Sequence, residues 1–277
     1  MGLRINTNIA SVNAQRNLYN TTMALQKNME RLSSGLRITR AGDDAAGLAI
    51  SEGLKSDIRA LQQASRNASD GVSMVQTAEG ALDEVSNILL RLRELAQQAA
   101  TETLGSAERD YLNSEYQDLL DEIDRISDTT EFNGTMLLNG TAGSLDVQVG
   151  IASAATSQVS IDLSADMDSA TLTLTTAISG ADNTNALAAI DEIEAAQVVI
   201  SSTRADLGAA QNRFEHSIRN IGMTVENLSA ANSRIRDVDI AAETANFTSN
   251  QILQQAGVSV LTQANLSSQL AILLLQG

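Results

Sequence analysis

From Leu54 onward, apolar residues return after three positions and then four: Leu54, Leu61, Ala64, Ala68, Val75, Ala78, Leu82, Val85, Leu89, Leu92, Ala96 and Ala99. Of fourteen steps, only Asp57 and Gly71 depart from the series. The pattern predicts one helix over residues 44–103, with a heptad seam packed along its whole length against other helices. At 1.5 Å per residue it would run roughly 85 Å, and a helix that long cannot bury its seam alone. A second series steps by seven through Ala186, Ile193, Ile200, Leu207, Phe214, Ile221, Leu228 and Ile235. All are apolar, which predicts the needed partner over residues 183–236, with Leu207 in mid-seam.

Shorter helices flank these two. Residues 3–34 carry a stripe of Ile5, Ile9 and Val12 that continues, in shifted register, through Leu18, Thr22, Leu25, Met29 and Leu32. Gly35 is placed to end that helix in a left-handed cap. Residues 36–43 connect, and Asp43 or Asp44 caps the long helix. Residues 107–128 place Leu112, Tyr116, Leu119, Ile123 and Ile126 on one seam. Residues 240–276 carry Ile252, Ala256, Val260 and Ala264, then an apolar tail of Leu270, Ile272, Leu273, Leu274 and Leu275. Asn133-Gly134 and Asn139-Gly140 are turn dipeptides. Between 144 and 176 the period drops to two: Leu145, Val147 and Val149; Val159, Ile161 and Leu163; Leu172 and Leu174. These predict short hairpin strands. The expected fold is mainly α, with long antiparallel helical hairpins or coiled coils and a small β-hairpin tip. Gly180 falls in a turn-rich segment where insertions should be tolerated.

Composition narrows the chemistry. The 277 residues include no Cys, no Pro and no Trp, one His and 2% aromatics. Disulfides and thiolate metal sites are excluded, and a single His forbids a two-His metal site. His216 lies off the Phe214/Ile218/Ile221 stripe and reads as a surface residue. No GxGxxG, GxxxxGK or GxSxG motif occurs, and the carboxylates are scattered over outer helix faces. No enzyme and no cofactor is expected. The net charge of −16 argues against nucleic acid as a partner. The charge is uneven: Arg4, Arg16, Lys27, Arg31, Arg37 and Arg40 against Glu30 give residues 1–40 a net +5, whereas residues 238–277 carry only Asp239 and Glu243. The N-terminus has no continuous apolar signal region, and no run reaches the ~18 apolar residues of a membrane span. If the protein leaves the cell, it does so by another route.

Several stretches closely resemble bacterial flagellin. They include INTNIASVNAQ, RLSSGLRITRAGDDAAGLAISEGLKSDIRAL, RNASDGVSMVQTAEGALDEV and LRELAQQA near the start, and LGAAQNRFEHSI, ENLSAANSRIRDVDIAAE and NQILQQAGVSVLTQAN near the end. They span about the first 140 and last 90 residues in the right order. The chain resembles a short flagellin without the outer variable domains. The resemblance implies an exported structural subunit that polymerises into the extracellular flagellar filament used for swimming. It implies that residues 1–43 and 238–277 pair as an inner coiled-coil domain. Residues 44–237 would form a helical rod domain, with a variable β-rich tip at about 141–182. Short terminal segments with no core of their own should order only by packing on neighbours. The implied partners are further copies of the chain, the flagellar export apparatus, a flagellin chaperone, and hook-associated and cap proteins. A hook–filament junction protein of the same superfamily is the alternative, which the unbroken DDAAGLAISE and NQILQQAGVSVLTQAN motifs disfavour. Flagellins that activate the flagellin-sensing Toll-like receptor carry a motif matching RLRELAQQ, with a Glu on the next helix. The corresponding residues are Arg91, Leu95 and Glu115. Because Leu89, Leu92, Ala96 and Ala99 form the seam, Leu95 is expected to be exposed beside Arg91.

Overall fold

The computed structural model describes residues 8–276, with side chains described as far as Leu266. The predicted stripe residue Ile5 and the side chains of the tail Leu270, Ile272, Leu273, Leu274 and Leu275 lie outside the described residues. The order is α1 (Ile9–Ser34), α2 (Ala45–Ala99), α3 (Ser106–Thr129), β1 (Glu131–Phe132), β2 (Thr135–Met136), β3 (Gly143–Gln148), β4 (Gln158–Leu163), α4 (Thr184–Arg236) and α5 (Ile240–Gln276). The fold is mainly α, as the pattern predicted. Two compact units are built from these elements, one of Met1–Ser56 and Asn227–Gly277, the other of Asp57–Glu226.

In the second unit the α2 seam is buried at Leu61, Ala64, Ala68, Gly71, Val75, Ala78, Leu82, Val85, Leu89, Leu92, Ala96 and Ala99. The α4 seam is buried at Ala186, Ile193, Ile200, Leu207, Phe214 and Ile221. The two helices run antiparallel, aligned by Arg93–Glu194 (4.0 Å) and by Arg204 between Glu79 (3.9 Å) and Asp83 (3.2 Å). The odd step at Gly71 now has a cause. It faces the ring of Phe214, and a Cβ built there would sit 2.9 Å from Phe214 Cζ. A large knob needs a small hole, and glycine supplies it.

α3 packs on the C-terminal end of α2 through Tyr116, Leu120 and Ile123. The tip follows. Asn133 (φ 51°) and Gly134 (φ 80°) turn β1 into β2, both in the left-handed region that an Asn-Gly pair tolerates. β3 and β4 pair antiparallel from Gly143↔Leu163 to Gln148↔Gln158, burying Val159, Ile161 and Leu163. Leu172 and Leu174 are buried but do not form the strand their alternation predicted. Their amides bond locally to Asp168 O and Ser169 O, and Thr173 adopts φ 58°, so the segment turns instead of extending.

Polar side chains on the helices strap this irregular segment down. Asp124 accepts from Ser169 N and Oγ, Asn113 from Ile178 N, and Glu192 from Thr175 N, Thr176 N and Thr176 Oγ1. Arg109 is buried; it donates to Ala99 O and Thr101 O at the end of α2 and to Ala181 O at 3.1 Å. Its cation thus meets the carbonyl-rich C-terminus of a helix. The strap also reaches Gly180 O at 3.5 Å, and Asn185 Nδ2 donates to Ser179 O. The surroundings of Gly180 are therefore pinned, and the exposed run Ile151–Thr156 is the freer site for an insertion.

Beneath the straps lies Tyr116, fully buried, its hydroxyl without a hydrogen-bond partner. Burial, aided by the nearby Glu192 carboxylate, pushes its pKa from 10.0 up to about 12. Below pH 10 folded and unfolded chains both hold this proton. Between 10 and about 12 only the unfolded chain releases it, so stability falls as pH rises. Tyr116→Phe should raise stability near neutrality by about 1 kcal/mol, because it removes an unsatisfied buried hydroxyl. It should also flatten the alkaline decline. Urea midpoints at pH 8 and pH 11 for both proteins test this; parallel declines would contradict it.

The first unit is an antiparallel pair, α1 against α5, with a paired neck. Gly35 (φ 72°) caps α1 as expected. Arg37 N donates to Arg236 O and Val238 N to Gly35 O, with Leu36 bridged to Asp237. The two capping candidates divide the work. Asp44 Oδ1 accepts from Gly47 N at the start of α2. Asp43 accepts from Thr39 N and Oγ1 and pairs with Lys27 Nζ at 2.6 Å. Lys27 foremost, then Thr39, holds the Asp43 carboxyl well below the usual carboxylate range. Leu54, Leu228 and Ile235 are half-buried here. The seam predicted for α5 is corrected. Ile252 and Val260 are 60% and 58% exposed, and the face toward α1 comprises Glu243, Phe247, Asn250, Gln254, Gly257, Leu261 and Ala264. The helices meet through polar bonds, through the half-buried Leu25, Leu32, Phe247 and Leu261, and through the close approach of Gly257 to Leu18, while Ile252 and Val260 turn outward.

Candidate functional site

Arg91 and Glu115, two of the three positions that match the motif, lie against each other. Arg91 Nε and Nη2 donate to Glu115 Oε1 at 3.0 and 2.7 Å, and Nη1 donates to Glu94 Oε2 at 2.9 Å. Both partners are about half exposed. Glu115 foremost, with Glu94, raises the Arg91 pKa further above its ordinary value. Leu95 is not where the sequence put it: it is 1% exposed and belongs to the core. The heptad count allowed for one neighbour of α2. α3 is a second, lying on the Arg91 face, so the buried stripe widens from Leu92 and Ala96 to include Leu95.

The larger surface feature is on the first unit. α1 exposes Ile9, Val12, Tyr19, Met23 and Met29, each at 49% or more, and α5 exposes Ile252, Leu253, Val258, Val260 and Leu266 likewise, with Val258 the least at 48%. The most buried residues between the helices are polar: Ser11, Asn28 and Glu243 are each under 9% exposed. Bulky apolar residues thus stand exposed on the outside of the pair, while polar Ser11, Asn28 and Glu243 share its interior with Leu18, Leu25, Leu32, Phe247 and Leu261. Exposed apolar surface of this extent marks an interaction face.

Groups suited to reaction chemistry are dispersed. Among the described residues, no three His, Cys, Asp or Glu are placed to hold a metal ion. His216 is exposed, its Nδ1 3.1 Å from Arg219 Nη2. No described helix is long and apolar enough to cross a membrane. The residues that sequence reasoning missed are the straps Arg109, Asn113, Asp124 and Glu192. They are polar and isolated, so no periodicity marks them.

Comparison with known proteins gives the same picture. The family model of the bacterial flagellin N-terminal helical region matches residues 5–143, and that of the C-terminal helical region matches residues 190–275. The chain is 50% identical over 272 residues to a flagellin of Halalkalibacterium halodurans, covering 98% of this chain and 99% of that one. It is 42% identical over 288 residues to the flagellar filament 33 kDa core protein of Treponema phagedenis, covering 98% and 99%. The crystal structure of Bacillus cereus flagellin aligns at 33% identity over 60% of this chain and 94% of that chain, with a TM-score of 0.49. With both terminal regions matched and identity sustained over nearly the whole length, the chain belongs to the bacterial flagellin family.

Proposed function

We propose that this chain is the structural subunit of a bacterial flagellar filament, polymerising with copies of itself outside the cell and catalysing no reaction. The observation that carries the reading is the exposed apolar surface of the α1–α5 pair. Apolar side chains such as Val12, Ile252 and Val260 face out of the single chain, a surface suited to cover by neighbouring copies. Head-to-tail contacts that do not close generate an open helical polymer. In that polymer residues 1–43 and 238–277 make the inner layer, residues 44–237 the next, and the tip at 141–182 the most variable part. Export through the flagellar apparatus with a chaperone, and contact with hook-associated and cap proteins, complete the proposal and rest on family likeness. Electron microscopy of the purified protein tests it. Long filaments from the chain alone are expected; short aggregates only would favour a hook–filament junction protein instead.

Recognition by a flagellin-sensing Toll-like receptor is proposed for the free monomer, through Arg91 and Glu115. Leu95 supports that surface from beneath, since its side chain is buried. Arg91→Ala should abolish most signalling in a receptor reporter assay while the circular dichroism stays unchanged. Leu95→Ala should act by loosening α3, and so should also lower the unfolding midpoint. Undiminished signalling by Arg91→Ala would rule the site out.

A further inference from the structure

The seam between α1 and α5 is polar at both ends. At one end Asn8 Nδ2 donates to Ala264 O at 2.9 Å and Ser11 Oγ to Asn265 Oδ1 at 2.8 Å. At the other end Asn28 is 7% and Glu243 6% exposed. The Asn28 amide, oriented by its surroundings, donates to Ala24 O and Glu243 Oε1, each at 3.0 Å. Its oxygen accepts from Asn250 Nδ2 at 3.1 Å and Phe247 N at 3.2 Å. Arg31 Nη1 lies 3.7 Å from Glu243 Oε2. Every polar atom of the Asn28 amide is thus engaged, and three of its four contacts are to α5.

The geometry points to a register key: Asn28, Glu243 and Asn250 select the one alignment of α1 on α5 in which the subunit enters the polymer. The inference rests on the filament reading and deepens it. Apolar contact is non-directional, so the outward residues do not by themselves distinguish one alignment from another a heptad away. Buried polar groups do, because a slip leaves them unpaired. Sliding α5 by seven residues brings Asn250 to the place of Glu243 and Gly257 to the place of Asn250. The Asn28 oxygen then loses its side-chain donor, and Glu243 loses Asn28 and Arg31. The same slip puts Ala264 where Gly257 now approaches Leu18, a spot where an added Cβ would already stand 3.3 Å from Leu18 Cδ1. A polar seam of this kind contributes alignment more than stability.

The chain has no cysteine, so introduced pairs report register cleanly. Ser11→Cys with Asn265→Cys reads the observed alignment. Leu18→Cys with Ala264→Cys reads the one-heptad slip, because Gly257 now holds the place beside Leu18 that Ala264 would take. Each reporter is diluted into an excess of cysteine-free chain of the same background and polymerised, so that cross-links form within single subunits. In the natural background only the 11–265 pair should cross-link. With Asn28→Leu and Glu243→Leu the 18–264 pair should cross-link as well; an unchanged pattern there overturns the key. A charge test decides separately, whether or not that background assembles. Asn28→Asp sets two carboxylates face to face and should raise the critical concentration about tenfold or more. Adding Glu243→Gln should restore it. Normal assembly of Asn28→Asp alone, or no rescue by Glu243→Gln, would overturn the proposal. Growth of the unaltered chain tests the filament reading; the variants, scored against it, test the key.

Discussion

Gly71→Leu and Phe214→Ala should each weaken the second unit by several kcal/mol, and the two together should recover much of the loss. Phe214 is fully buried and seated over Gly71, with no room for even a Cβ between them. Truncating it opens a cavity in the α2–α4 seam, a change that costs about 3–5 kcal/mol in well-packed cores. A leucine at position 71 meets the ring head-on, and overpacking costs about 1–3 kcal/mol or more. In the double variant the leucine side chain occupies the space the ring vacates, so the penalties should not add. Urea unfolding of the four proteins as monomers measures the coupling. Strict additivity would show that the contact is not the cause of the glycine.

Removing residues 1–40 or 240–277 should abolish polymerisation while leaving the second unit folded. Each deletion takes away one partner of the α1–α5 pair, and with it one of the outward apolar faces. The second unit keeps its own core, from Ala68 to Ala99 on α2 and from Ala186 to Phe214 on α4, with α3 packed alongside. The truncated chains should sediment as monomers and retain a strongly helical circular dichroism spectrum. Long filaments from either truncation would be decisive against this account.

What the sequence made legible was whatever repeats. The α2 and α4 seams keep a heptad register, and burial follows it from Leu61 to Ala99 and from Ala186 to Ile221. The hairpin of β3 and β4 was visible because Val159, Ile161 and Leu163 alternate. Leu172 and Leu174 alternate too, yet Asp168 and Ser169 carbonyls capture their amides, and alternation cannot report such local bonds. Leu95 was misplaced because a seam counted for one neighbour says nothing of a second. α5 misled for a different reason: its bulky Ile252 and Val260 are exposed, while the face it turns to α1 mixes Glu243, Asn250 and Gln254 with Phe247, Gly257 and Leu261. Hydrophobic pattern shows that a face is covered, and does not show by what. Flagellin motifs revealed the Arg91 and Glu115 pair, whereas Arg109, at the junction of α2, α3 and the tip, belongs to no pattern.

Asn8 bonds to Ala264 and Ser11 to Asn265 across 256 and 254 residues of chain. α1 therefore lacks its helix partner until α5 has been made. At synthesis rates of roughly 5–20 residues per second, on the order of ten seconds or more separates the two. Closing so long a loop is also entropically slow, and nothing in α1 rewards it earlier. The first unit is thereby the last to form, by topology alone. Until residues 264 and 265 have been made these bonds cannot form, and the order of the helices acts as a clock for the first unit.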